Sequence, residues 1–235
     1  MSGEATGNPS PVTARTQIDS STSKLLLVEG REEELFFEEM MKSDPILAAV
    51  QVMSFCGKNN LRAFLAPLKK DPLFPQVKTI AVIRDADYHQ SQSQPRNQAT
   101  AHRARETGAA QLALQSVRDS LQYHNLPRPA KHGCFVTGPP RVGVFIMPDG
   151  ENDGMLETLC MRSVDDKPEA ECVKLYFQCL NKKSLFPRPL DKARAHVWLA
   201  SRREPDKRVG EAAQAGYWPF DHAAFGDLWK FIRAM

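Results

Sequence analysis

The sequence predicts an α/β fold with a mostly parallel central sheet, Rossmann-like in its winding, flanked by helices and followed by a helical C-terminal extension. Three observations predict it. Short apolar runs at Leu25–Val28, Val50–Cys56 and Val77–Ile83 alternate with two stretches whose apolar residues recur at helical spacing. The connections between them are short, as in successive βαβ units. The first and third runs both end on acids, Glu29 and Asp85-Ala86-Asp87.

In chain order, the first 22 residues carry Ser, Thr, Gly, Pro and charge without an apolar period. They read as a disordered tail, leaving 23–235 as a single domain that is helix-rich from about residue 153. Leu25-Leu26-Leu27-Val28 is continuously apolar, as a strand buried on both faces must be. Residues 31 to 42 place Leu35, Phe36, Met40 and Met41 among acids at helical spacing, and Asp44-Pro45 stops that helix. After the second run, Asn59 is a candidate cap for a helix bearing Leu61, Phe64, Leu65 and Leu68. A polar stretch from His89 to Asn97 reads as a loop, and a helix is predicted from about Thr100 to His124. Cys134 to Thr137 and Val142 to Met147 read as two more strands, and 153–162, 168–182, 190–204 and 221–234 as helices.

If the second strand lies on one side of the first, the third strand takes the other side. The first and third then flank a switch point, where open α/β sheets place their ligands. Glu29 and Asp85 arrive at that crevice. Carboxylates grouped there repel one another unless a cation neutralises them, and hard cations such as Mg²⁺ or Mn²⁺ take oxygen ligands.

Val28-Glu29-Gly30 after a first strand and Asp85-Ala86-Asp87 after a third resemble the signature of the Toprim superfamily, found in topoisomerases, bacterial primases and small nucleases. The likeness covers residues 24 to 87 most fully. A closer resemblance is to a stand-alone Toprim-like family known as domain of unknown function 3226. That likeness lies in the V-E-G start, the R-D-A-D strand end and the segment Pro148-Asp149-Gly150-Glu151-Asn152-Asp153-Gly154-Met155-Leu156-Glu157. The resemblance implies a Toprim-like fold, Glu29 as acid/base or metal ligand, and Asp85 and Asp87 as ligands of Mg²⁺ or Mn²⁺. It also implies nucleic acid as partner, and by analogy a separately encoded regulatory ATPase.

The segment from Asp149 to Glu157 has two readings. In one, Asp149, Asp153 and Glu157 complete a second metal position, as in two-metal phosphoryl chemistry. In the other, Asp153 caps a helix and the glycines make the turn. The segment opens like an EF-hand, but the twelfth position holds Cys160 where a bidentate Glu is needed. Lys192 resembles a late lysine of related nucleases, a charge-stabilising role; the other reading is a solvated helix lysine. Arg84 stands beside the D-x-D. Arg96, His102, Arg103 and Arg105 form a small basic cluster, either phosphate-facing or a solvated helix face. Tyr217, Trp218, Phe220, Phe225, Trp229 and Phe231 recur at helical spacing and read as core rather than a base-stacking platform.

Composition narrows the rest. An apolar fraction of 42% with 25% charge is ordinary for a globular chain, so a core forms without disulfide or metal staples. A net charge of +3 is compatible with nucleic acid without demanding it. Cys56, Cys134, Cys160, Cys172 and Cys179 are scattered with no C-x-x-C, so neither zinc ribbon nor disulfide framework is expected, and reduced thiols fit a cytoplasmic setting. No secretory leader or membrane span is expected. P-loop, G-x-G-x-x-G and H-E-x-x-H motifs are missing from the sequence. Two functions remain: a divalent-metal-dependent nuclease acting on DNA or RNA, or a non-catalytic Toprim-like module that binds nucleic acid or a partner protein.

Overall fold

In the computed structural model, which describes residues 16–88 and 108–235, the three apolar runs become β1 (Lys24–Val28), β2 (Val50–Ser54) and β3 (Thr79–Asp85). The two helical stretches between them become α1 (Arg31–Met41) and α2 (Leu61–Leu68). Beyond residue 108 follow α3 (Ala109–Tyr123), β4 (Cys134–Val136), β5 (Arg141–Met147), α4 (Leu156–Ser163) and α5 (Pro168–Lys182). The chain ends with α6 (Leu190–Leu199), α7 (Val209–Gln214) and α8 (Gly226–Arg233).

The sheet order is β2-β1-β3-β5-β4. The first four strands run parallel, with Leu26 opposite Val52 and Ala81, and β4 closes the edge antiparallel to β5. β1 and β3 are neighbours, so the winding reverses between them and the predicted switch point is present. Strand alternation divides the apolar residues into two cores. Leu26, Val28, Ala81, Ile83, Phe145 and Met147 face α1 and the C-terminal helices. Leu25, Leu27, Ile80, Val82, Val144 and Ile146 face α2 and α3. The sheet is therefore covered on both faces, which is why its strands read as unbroken apolar runs.

The C-terminal extension is part of the first core. Trp198 stacks on Trp218 with ring centroids 4.8 Å apart, and Trp218 Nε1 donates to the Val209 carbonyl at 3.0 Å. Trp218, Phe225 and Phe231 are buried, and Tyr217, Phe220 and Trp229 pack against them, as the helical spacing predicts. All five cysteines are free thiols, and no helix among the described residues is long and apolar enough to cross a membrane.

Several boundaries differ from the sequence reading. Residues 16–22 are not a free tail: Ile18 is buried, its N–H donates to Asp71 at 2.9 Å, and the Thr22 hydroxyl donates to the Ala49 carbonyl at 2.6 Å. One apolar residue among polar ones leaves no periodic signal. Residues 1–15, the predicted loop at 89–97, the start of the helix predicted from Thr100, and Arg96, His102, Arg103 and Arg105 lie outside the described residues. β2 stops at Ser54 because Cys56 and Gly57 take positive φ, 56° and 116°. Asn60, not Asn59, is the residue at the start of α2, and its side-chain amide donates to the Cys56 carbonyl at 2.5 Å. α4 begins at Leu156 after Met155, so Asp153 is not its cap. α6 ends at Leu199, α8 begins at Gly226 behind a 3-10 turn at Ala223–Phe225, and the six-residue α7 is too short to leave a period in sequence.

Candidate functional site

The carboxyl ends of β1 and β3 bring the acids together. Glu29 directly follows β1, and its carbonyl accepts from the Gly57 N–H at 2.7 Å and the Ser54 hydroxyl at 3.4 Å, tying it to the turn after β2. Gly30 then caps α1, and Glu33 lies one helical turn beyond Glu29. A methyl group at Gly30 would stand 2.7 Å from Glu33 Oε2, so the missing side chain leaves room for that carboxylate to fold back over the helix start.

Asp85 is the last residue of β3 and is buried; its Oδ1 accepts from the Leu156 N–H at 3.0 Å, at the start of α4. That bond fixes α4, and with it Glu157, against the strand end. Asp87 has φ 64°, a left-handed backbone that short polar side chains tolerate better than most. It is held there by two hydrogen bonds with Gly154, N–H to carbonyl at 2.8 Å and 2.9 Å. Tyr88 reaches Asp191 and Thr158; burial, then the Asp191 carboxylate, pushes its phenol up against the Thr158 hydrogen bond.

Three cations face this group. Arg84 Nε is 3.9 Å from Glu29 Oε2, Lys58 Nζ is 3.0 Å from Asp87 Oδ2, and Lys192 Nζ is 3.7 Å from Glu157 Oε1. They do not balance five carboxylates. Burial, then repulsion by Asp87, raises the Glu29 carboxyl to about 7 despite Arg84. Burial, then the charges of Glu33, Glu29, Glu157 and Asp87, holds Asp85 well above the usual carboxylate range. Burial, then Glu157, raises Glu33 against its own backbone hydrogen bond and Lys192. Glu29 Oε2 and Arg84 Nε are buried without a hydrogen-bond partner. A buried carboxylate oxygen without a donor costs energy that a bound cation would recover.

Of the residues singled out in sequence, Glu29, Asp85, Asp87, Glu157 and Lys192 thus meet at one crevice. Asp149 is engaged in its own loop. It accepts from the Glu151 and Asn152 N–H groups at 3.2 and 2.8 Å and from Arg162 at 3.1 Å. Burial works to raise its carboxyl, but these bonds outweigh it and hold the group below its usual range. Asp153 is half-buried just before the Asp87–Gly154 bridge and is not among the acids acting most strongly on Asp85. Glu33 and Lys58 were missed. The signal for Glu33 was Glu29-Gly30-x-x-Glu33, two acids one turn apart across a glycine cap; the signal for Lys58 was its place after Gly57 in the turn that follows the second strand.

Among the described residues no group of three or more His, Cys, Asp or Glu side chains is placed to hold a metal ion as it stands. Mg²⁺ does not require one, since it takes one or two carboxylates and keeps several waters.

Fold and site together define a three-layer α/β protein with an acid-lined crevice at the switch point of its sheet. The chain belongs to the family described as Protein of unknown function (DUF3226), whose model matches residues 23–235. No curated protein matches the chain, and no solved structure matches it.

Proposed function

We propose that this chain is a divalent-metal-dependent nuclease with a Toprim-like fold, hydrolysing phosphodiester bonds in DNA or RNA. The observation that carries the reading is the meeting of Glu29, Glu33, Asp85, Asp87 and Glu157 at the switch point, with Glu29 Oε2 buried without a hydrogen-bond donor. Asp85 and Asp87 would hold Mg²⁺ or Mn²⁺ with Glu29 as ligand or general base, and Glu33 and Glu157 complete the acidic wall. A divalent cation in such a site lowers the pKa of a bound water and neutralises charge at the scissile phosphate. A carboxyl raised to about 7 suits Glu29 to exchange a proton near neutral pH. Lys192, 3.7 Å from Glu157, would stabilise charge on a phosphate oxygen.

The test is cleavage of plasmid, single-stranded DNA and mixed RNA with Mg²⁺ or Mn²⁺, beside Asp85→Asn and a Glu29→Ala/Asp85→Ala control. Calorimetry follows cation binding in the same samples. Cleavage by the wild type alone, with cation binding abolished in Asp85→Asn, is the expected result. Unchanged cation binding in Asp85→Asn would sink the site assignment. Cation binding without cleavage would instead indicate an effector that awaits a partner, such as a separately encoded ATPase.

A second reading has its own support. Arg84, Lys58 and Lys192 each meet a carboxylate, and Asp85 already accepts a backbone N–H. A site stabilised this way suits a non-catalytic module binding nucleic acid or a partner protein. Neither cation binding nor cleavage by the wild type would put this reading first.

A further inference from the structure

We propose that Lys58 is a displaceable internal counter-ion of Asp87, coupling cation loading to capture of a phosphodiester strand. The inference rests on the metal-dependent reading above. Its starting point is the 3.0 Å pair between Lys58 Nζ and Asp87 Oδ2, which joins the turn after β2 to the end of β3.

Both backbones of this pair are fixed. Cys56 and Gly57 take consecutive positive φ values, the Gly57 N–H donates to Glu29 at 2.7 Å, and the Asn60 N–H donates to the Gly57 carbonyl at 2.9 Å. Asp87 is anchored by its paired bonds to Gly154. What remains free is the lysine stem, a point charge on four rotatable carbons.

The three cations of the site differ in accessibility. Arg84 has a side chain only 9% exposed, and Lys192, though 56% exposed, pairs with a Glu157 that is only 10% exposed, whereas in the Lys58–Asp87 pair both partners meet water, at 46% and 32%. An ion pair so exposed to water contributes little, so a divalent cation displaces the ammonium from Asp87 at small cost. Among the described residues Asp87 is the acid Lys58 touches, and the lysine charge also acts on Glu29 from farther off. Once released it carries an unpaired charge at the mouth of the crevice, beside the position where a substrate phosphate must meet the acids. Lysine to phosphate is a charge-assisted contact of the same kind as the one it leaves, so the strand takes the place of the lost carboxylate. Cation binding and polyanion binding thereby become positively coupled through one side chain.

The experiment uses the full chain, titrated with Mn²⁺ in a calorimeter and with a labelled single-stranded oligonucleotide by fluorescence anisotropy, with and without Mn²⁺. In the wild type, Mn²⁺ should tighten oligonucleotide binding. Lys58→Gln should bind Mn²⁺ about two- to tenfold more tightly, lose most of the Mn²⁺-dependent gain in strand affinity, and show a salt slope smaller by about 1. Lys58→Arg, which keeps the charge, should keep the gain; far-ultraviolet circular dichroism confirms that both variants are folded. Wild-type cation binding with both affinities unchanged in Lys58→Gln would overturn the counter-ion role and leave the metal-dependent reading standing. Absence of Mn²⁺ binding by the wild type would overturn both.

Discussion

At the residue scale, Gly30 and Glu33 act as a unit. Gly30 has φ −141° and ψ 179°, extended backbone that any residue can take, so space and not conformation requires glycine there. The atom that an added methyl would meet is the far end of a flexible side chain, Glu33 Oε2 at 2.7 Å. Gly30→Ala should therefore fold, with a melting temperature within a few degrees of wild type, while turning the Glu33 carboxylate out of the crevice. Calorimetry should find Mn²⁺ affinity lowered several-fold. Unchanged affinity would mean that Glu33 has no part in cation binding.

At the element scale, α7 fixes the position of α1. These helices approach so closely that a methyl on Gly210 would lie 2.6 Å from the Glu32 carbonyl oxygen and 2.8 Å from Leu35 Cβ. The Gly210 N–H also donates to Glu32 Oε2 at 3.0 Å. Here the obstacle is backbone and cannot rotate away. Gly210→Ala should cost about 1–3 kcal/mol, the range for overpacking a filled core, read from the urea midpoint at unchanged slope. Because α1 carries Glu33 and follows Glu29, the same variant should weaken Mn²⁺ binding without altering any of the five acids of the site. A midpoint equal to wild type would show that the two helices separate freely.

At the scale of the whole molecule, the acidic crevice makes stability depend on pH and on cations together. Glu29 has its carboxyl raised from 4.5 to about 7 by burial and by Asp87, so between those values the folded chain binds more protons than the unfolded one. That stabilisation is complete below pH 4.5 and is lost as pH rises towards 7 and beyond, at a slope of up to about 1.4 kcal/mol per unit for one group. Asp85 and Glu33, also raised, act in the same direction. In chelator the melting temperature should fall from pH 5.5 to pH 8, and Asp85→Asn should make that fall shallower. A divalent cation at a hundred times its dissociation constant should restore about 2.7 kcal/mol at pH 8, roughly 5–10 °C for a chain of this size. Asp85→Asn should remove the cation-dependent part. A melting temperature insensitive to Mg²⁺ and Mn²⁺ at pH 8 would count against the crevice as a cation site.

The sequence by itself determined the α/β class, the strands that form the centre of the sheet, and the place of Glu29, Asp85 and Asp87 at their carboxyl ends. Burial on both faces forces Leu25–Val28 and Ile80–Ile83 to be continuously apolar, and a strand end fixes where the next polar residue points. It also marked the aromatic C-terminal stretch as core. Only the tertiary structure decided which further charges join the acids. Glu157 arrives because Asp85 takes the Leu156 N–H, and Lys58 because two positive-φ residues turn the chain after β2. Asp149 is held in its own loop by Arg162 and Asn152, while Ile18 is drawn into the second core with no periodic neighbour to announce it. Periodicity records what one element must bury. Which side chains from separate elements share a crevice is set by packing between elements, and single residues carry no period that could record it.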